Sequence, residues 1–181
     1  MMKEVYISVD IEASGPVPGT YSMLALGACV VGNVTERFYA ELRPINEASV
    51  PGAMAVVGKT LEEFRQAGRE PAEVMLEFGA WIRRVVDGGK AVFVGFNATF
   101  DWSFVNWYFV TYRGENPFGV GGVDIKSFYM GMSGCAWEET RSSRLPVKYR
   151  GEAAHTHNAL SDAIEQAGTF ERMGRAAGAI E

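Results

Sequence analysis

The sequence predicts an α/β fold, a central mixed β-sheet of about five strands flanked by helices. Three observations carry that expectation. The first third of the chain holds strand-like runs, two of them joined at the hairpin signal Gly32-Asn33. The remainder alternates strand-like with helix-like stretches. Ala91–Phe96 is short and wholly apolar, as a parallel strand buried on both faces should be.

The elements follow in order. Glu4–Asp10 reads as the first strand, built on Val5-Tyr6-Ile7-Ser8-Val9. The turn region Gly15-Pro16-Val17-Pro18-Gly19 separates it from a second strand at Met23–Val31. Glu36–Arg43 is the third, with Phe38, Ala40 and Leu42 alternating against polar or charged neighbours. After Pro44, Leu61–Gln66 reads as a short helix with Thr60 as its N-cap. Pro71 opens a longer helix to about Val86, with Val74, Phe78, Trp81, Ile82 and Val85 on one face, and Gly88-Gly89 ends it.

Asn97-Ala98-Thr99 leads from the strand at Ala91–Phe96 into a helix that reaches about Tyr112. Val123–Ile125 reads as a last strand and Ser127–Met132 as a short helix, while Gly134 to Ala154 is irregular. The final helix runs from near Asn158 to about Met173, and the small-residue tail 174–181 is expected to fray. No repeat, low-complexity block or long linker divides the chain, so 1–181 reads as a single domain. In such a fold, functional groups gather at the carboxyl ends of the central strands.

Composition narrows the function classes. With 17 Lys and Arg against 22 Asp and Glu, the chain does not coat nucleic acid or membranes by bulk charge. Nucleic acid stays open as a substrate, because bound metal ions reverse a local potential. Cys29 and Cys135 form no CxxC pair or disulfide framework, and both read as reduced thiols. Asp10 and Glu12 interrupt the first apolar run too early for a signal peptide, and Met23–Val31 is too short to span a membrane. A soluble, cytoplasmic protein with no membrane partner is the expectation.

The chemistry starts at Asp10-Ile11-Glu12. Strand side chains alternate with period two, so both carboxylates point to one face. Adjacent like charges repel and lose hydration, and are tolerated mainly where a cation sits between them. Hard oxygen donors of this kind select Mg²⁺ or Mn²⁺. Asp101 lies in the first turn of a helix that begins where a central strand ends; by itself it equally fits an acid compensating the helix dipole. His157 and Asp162 fall on the same side of the last helix's start. Of the chain's 2 histidines, His157 is preferred to His155 for its register with Asp162. Separately, a surface imidazole and a solvated acid would explain these two.

Together, Asp10-x-Glu12, Asn97-x-x-x-Asp101 and His157-x-Ala159-x-x-Asp162 resemble the three exonuclease motifs of the DEDDh family. That family comprises 3′–5′ exonucleases of the RNase T, oligoribonuclease and proofreading-subunit kind, which share an RNase H-like fold. The resemblance spans Val5 to about Met173. It implies two divalent ions, Mg²⁺ or Mn²⁺, held by Asp10, Glu12, Asp101 and Asp162, with His157 as the general base toward water. It also implies single-stranded RNA or DNA as substrate, nucleoside 5′-monophosphates as products, and a homodimer such as small members of the family form. Setting the four acids aside leaves acids and bases nearly level, so the acidic excess is largely the site itself.

The substrate side is read from neighbouring residues. Ala13, Ser14 and Gly15 follow Glu12 where the family cradles the terminal nucleotide with Thr-Thr-Gly or similar, a mild departure here. Asn97 belongs to the second motif, and Phe100 and Trp102 flank Asp101, where a ring could stack on a base or pack in the core. Arg141, Arg144, Lys148 and Arg150 form a basic stretch before His157 that suits a phosphate backbone or a solvated loop. Asp124 reads as a structural cap. An RNase H-type endonuclease and a non-catalytic module that grips 3′ ends or docks on a polymerase are the alternatives.

Overall fold

The period-two pattern that begins at Glu4 forms β1, Glu4–Ala13, in the computed structural model, which describes residues 3–150 and 157–180. β2 (Met23–Val30) and β3 (Asn33–Glu41) follow as an antiparallel meander. Gly32, with φ at 81°, supplies the left-handed residue that the β2–β3 turn needs. The chain returns through α1 (Pro51–Val57), α2 (Leu61–Ala67) and α3 (Pro71–Val86), then alternates β4 (Lys90–Gly95), α4 (Ala98–Arg113), β5 (Gly122–Asp124), α5 (Ile125–Ser133) and α6 (Ala159–Ala176). The sheet order is β3-β2-β1-β4-β5, with β1, β4 and β5 parallel. This is the five-stranded mixed sheet that the sequence predicts.

Alternation on β1 sorts the two faces. Val5, Ile7, Val9, Ile11 and Ala13 are all buried in one cluster with Phe78 of α3, Phe93 of β4, and Phe104 and Phe109 of α4. Each large apolar side chain so buried contributes about 1.5–3 kcal/mol. The opposite residues face α6: the Tyr6 ring lies 5.5 Å from that of Phe170, and the Cys29 thiol lies 3.5 Å from the Ala163 carbonyl oxygen. Local signals start the helices as expected. Thr60 and Glu63 close a reciprocal capping box on α2, Pro71 opens α3, and Asn158 accepts from the Ser161 N–H at the head of α6.

Several elements differ from the expectation, β3 among them, which spans Asn33–Glu41 rather than Glu36–Arg43. β1 continues past Asp10 to Ala13 because Ile11 and Ala13 keep the buried alternation going, so Glu12 belongs to the strand. α1 is an additional helix; Pro51–Val57 has no charged residue and buries none of its own, so it carries no amphipathic stripe. The irregular stretch after Gly134 contains single 3₁₀ turns at Trp137–Thr140 and Ser142–Arg144, and its end at 151–154 lies outside the described residues. The last helix runs to Ala176, past the expected end near Met173, and the Ile180 side chain folds back to where a Gly174 Cβ would meet it at 2.6 Å. Among the described residues no helix is long and apolar enough to cross a membrane.

Candidate active site

β1 and β4 run side by side to the pair Ser8↔Val94 and then part. The backbone groups left beyond that point are taken by side chains. Gln166 of α6 donates from Nε2 to the Val9 carbonyl at 2.9 Å and accepts the Phe96 N–H at 2.6 Å. Two residues further along β1, the Ile11 N–H donates to Asp101 Oδ1 at 3.0 Å. That bond lies between Asp10 and Glu12 in sequence and ties the first turn of α4 to their strand.

α6 closes over the same crevice. Its start passes across β2 at Gly27, the residue paired in register with Asp10. Only glycine permits this approach, because a Cβ there would lie 2.2 Å from the Ala159 carbonyl carbon. Asp162 is thereby buried one turn into α6, while His157 stays exposed just ahead of it, with a left-handed φ of 54°. Donor atoms of Glu12, His157 and Asp162 lie within 4.8 Å of one another, close enough to share one cation.

The electrostatics describe crowded acids. Burial first, then the charges of Asp101, Glu12, Asp162 and Glu165, pushes the Asp10 carboxyl well above its ordinary range. Asp101 is pushed up to about 7, chiefly by burial, against the opposing pull of the Ile11 N–H. Asp10, Glu12, Asp101 and Asp162 thus come from β1, α4 and α6 to one place, where the charges of the other three make an ionised Asp10 costlier. A divalent cation relieves that cost directly, so this donor set fits hard metal ions.

The residues expected on the substrate side are placed differently from one another. Ala13 and Ser14 are buried. The Ser14 hydroxyl donates to the Ala48 carbonyl at 2.8 Å and accepts the Ser22 N–H at 2.9 Å, so it is engaged inside the fold. Gly15 lies against the Tyr21 ring, 2.4 Å from where a Cβ would sit. Asn97 is exposed at the head of α4 with φ at 71°. Phe100 packs on Phe104 at 5.2 Å between centroids, and both Phe100 and Trp102 line the edge of the main core. Arg141, Arg144, Lys148 and Arg150 are exposed; Arg141 pairs with Glu138, and Lys148 lies 4.8 Å over the Tyr149 ring. His155 lies outside the described residues.

Several contributors were not evident in the sequence. Glu165 adds its charge to Asp10. Its spacing of three from Asp162, and Gln166's of four, was the available signal. Asp124, expected as a cap, holds two helices: it accepts the Ser127 N–H of α5 at 2.7 Å and the Ala98 N–H of α4 at 2.8 Å. Tyr39 of β3 donates to Glu41 at 3.0 Å and is held up to about 12, mainly by burial; the Asn158 side chain also bears on its hydroxyl.

The chain resembles proteins of known activity and structure. It is 48% identical over 169 residues to an Escherichia coli protein named 3′-5′ DNA exonuclease Cap18, covering 93% of this chain and 90% of that protein. Among solved structures, the nuclease domain of 3′hExo, a DEDDh member bound to rAMP, superposes with a TM-score of 0.76 at 16% identity, over 98% of this chain and 94% of that one. Escherichia coli Exonuclease I in complex with a dA16 oligonucleotide gives a TM-score of 0.67 at 18% identity, over 96% of this chain and 41% of that one. No family model matches the chain.

Proposed function

The chain belongs to the DEDDh family of 3′–5′ exonucleases, and on that footing we propose that it hydrolyses single-stranded DNA from the 3′ end to nucleoside 5′-monophosphates. The observation that carries the reading is the convergence of Asp10, Glu12, Asp101 and Asp162 beside His157 at the parting of β1 and β4. DNA is preferred to RNA because the relative that is 48% identical is named a DNA exonuclease.

The four carboxylates would hold two divalent ions, Mg²⁺ or Mn²⁺. When bound, such ions neutralise charge developing on the phosphate and lower the pKa of water at the site. His157 takes the proton of the attacking water, a task that suits an imidazole on an exposed segment. The water oxygen forms the new bond to phosphorus and the bond to the 3′ oxygen breaks. The terminal nucleotide leaves with its 5′-phosphate, and the shortened strand regains a 3′-hydroxyl by taking a proton from solvent.

The protein's own framework orients these groups. The Ile11 N–H fixes one oxygen of Asp101, and the Asn158 cap holds the start of α6 next to His157. Asn97 and the rings of Phe100 and Trp102 border the second motif, and Arg144 and Lys148 offer charge to the strand's backbone. Ala13, Ser14 and Gly15 shape the end of β1 beneath the terminal nucleotide, with Ser14 acting through its bonds to Ala48 and Ser22.

The test is digestion of 5′-labelled single-stranded DNA and RNA of one sequence, with Mg²⁺, Mn²⁺ or EDTA. A ladder shortening from the 3′ end, faster on DNA and absent in EDTA, is expected. Internal cuts would favour the endonuclease alternative, and binding without cleavage in either metal would make the protein a 3′-end binding module.

A further inference from the structure

Gln166 sits where a backbone hydrogen bond should be. In a parallel pair the carbonyl of one residue accepts the N–H one place beyond its partner. Extending the β1–β4 register from Ser8↔Val94 would therefore pair the Val9 carbonyl with the Phe96 N–H. Those two groups instead meet the two ends of one side-chain amide, at 2.9 Å and 2.6 Å. The Gln166 amide is thus interposed as an extra rung that holds the strands apart while satisfying both. Its side chain is buried, 5% exposed, so neither backbone group has ready access to water in its place.

What this rung touches is what the site requires. Val9 precedes Asp10, and Phe96 precedes Asn97 and the turn that carries Asp101. Gln166 itself lies one helical turn after Asp162 on α6. One amide therefore spaces the three elements that bring the four carboxylates together. Just beyond it, the Ile11 N–H that the parting strands release is the group that Asp101 captures.

We propose that Gln166 is a positioning residue: its amide wedges β1 from β4 and so sets the spacing of Asp10, Asp101 and Asp162 for metal ions. This deepens the reading under "Proposed function" and rests on it. A residue of this kind acts on metal affinity and on the chemical step, and leaves the grip on the rest of the strand alone.

The experiment compares wild type with Gln166→Met and Gln166→Leu, which keep apolar bulk and remove both hydrogen bonds without adding charge. Four quantities are read: Mn²⁺ binding by calorimetry without substrate, kcat and KM on single-stranded DNA, and hydrogen exchange of the Phe96 amide in the metal-free wild type. The variants should unfold cooperatively, bind Mn²⁺ about 10–100-fold more weakly and lose kcat by about the same factor, with KM changed less than about twofold. The wild-type Phe96 amide should exchange as slowly as the ladder amide of Val94.

Wild-type Mn²⁺ affinity and kcat in either folded variant would overturn the proposal. So would a loss of kcat that vanishes when each protein is assayed equally far below its own unfolding temperature. If neither variant folds, the exchange measurement decides, since a freely exchanging Phe96 amide means the rung is not formed. A wild type that binds no Mn²⁺ refutes the underlying metal-site reading, an outcome separate from any effect of Gln166.

Discussion

Gly27 of β2 and Ala159 at the head of α6 approach so closely that a Cβ on the glycine would lie 2.2 Å from the Ala159 carbonyl carbon. Gly27 is also the register partner of Asp10. The depth at which α6 settles on the sheet, and hence the reach of His157 and Asp162 toward β1, is set at this contact.

Gly27→Ala should therefore act on structure and activity together. The clash is with backbone, so α6 must lift at its start, at a cost of about 1–3 kcal/mol. Misplacement of His157 and Asp162 by about 1 Å should lower kcat on the order of 10²-fold. Chemical denaturation and steady-state kinetics on single-stranded DNA measure both.

The metal-free protein should become less stable as pH rises through neutrality. Asp10 and Asp101 are raised above their ordinary value of 3.8, Asp101 to about 7, so the folded state holds protons that the unfolded chain releases. Their stabilising contribution is full below the unfolded pKa and is lost as pH rises through the folded one. In EDTA the melting temperature should fall between about pH 5 and about pH 8; Mg²⁺ should restore most of it, and Asp101→Asn should flatten the fall. Melting curves in EDTA that do not change with pH would contradict this.

Asp124→Ala should weaken the fold by about 1–2 kcal/mol, the usual range for a lost N-cap, because one carboxylate closes the first turns of both α4 and α5. Since Asp101 sits in that first turn of α4, activity should fall as well. Asp124→Asn, which keeps a single acceptor oxygen and so can cap α4 or α5 but not both, should recover only part of each in thermal melts and rate assays.

The two cysteines should differ in reactivity. Cys29 is fully buried, with its thiol pushed up to about 12 by burial, whereas Cys135 is partly exposed. A colorimetric thiol titration should count one fast thiol in the native protein and two in guanidinium. Two fast thiols without denaturant would mean that α6 does not cover β2 as described.

Much of this architecture is legible because its signals are local. Thr60 with Glu63, Pro71 and Asn158 each mark a helix start within a single turn, and the alternation on β1 fixes the face shared by Asp10 and Glu12. The hidden parts depend on partners far away in sequence. α1 docks through the Val50 N–H on the Ser14 carbonyl, at 2.7 Å, rather than through a patterned face. Ser14 reads as a substrate contact until Ala48 and Ser22 are found to occupy its hydroxyl. Gln166 is a neutral amide whose purpose is visible only once β1 and β4 are known to part.

The decisive comparison is of wild type, His157→Ala and Asp10→Asn on 5′-labelled single-stranded DNA under single-turnover conditions, with Mg²⁺ or EDTA. Wild type should shorten the strand from its 3′ end in Mg²⁺ only. His157→Ala, whose exposed side chain is not needed for folding, should lose about 10²–10⁴-fold, and Asp10→Asn should give no detectable shortening. Wild-type rates in either variant, or cleavage that survives EDTA, would contradict the proposed mechanism.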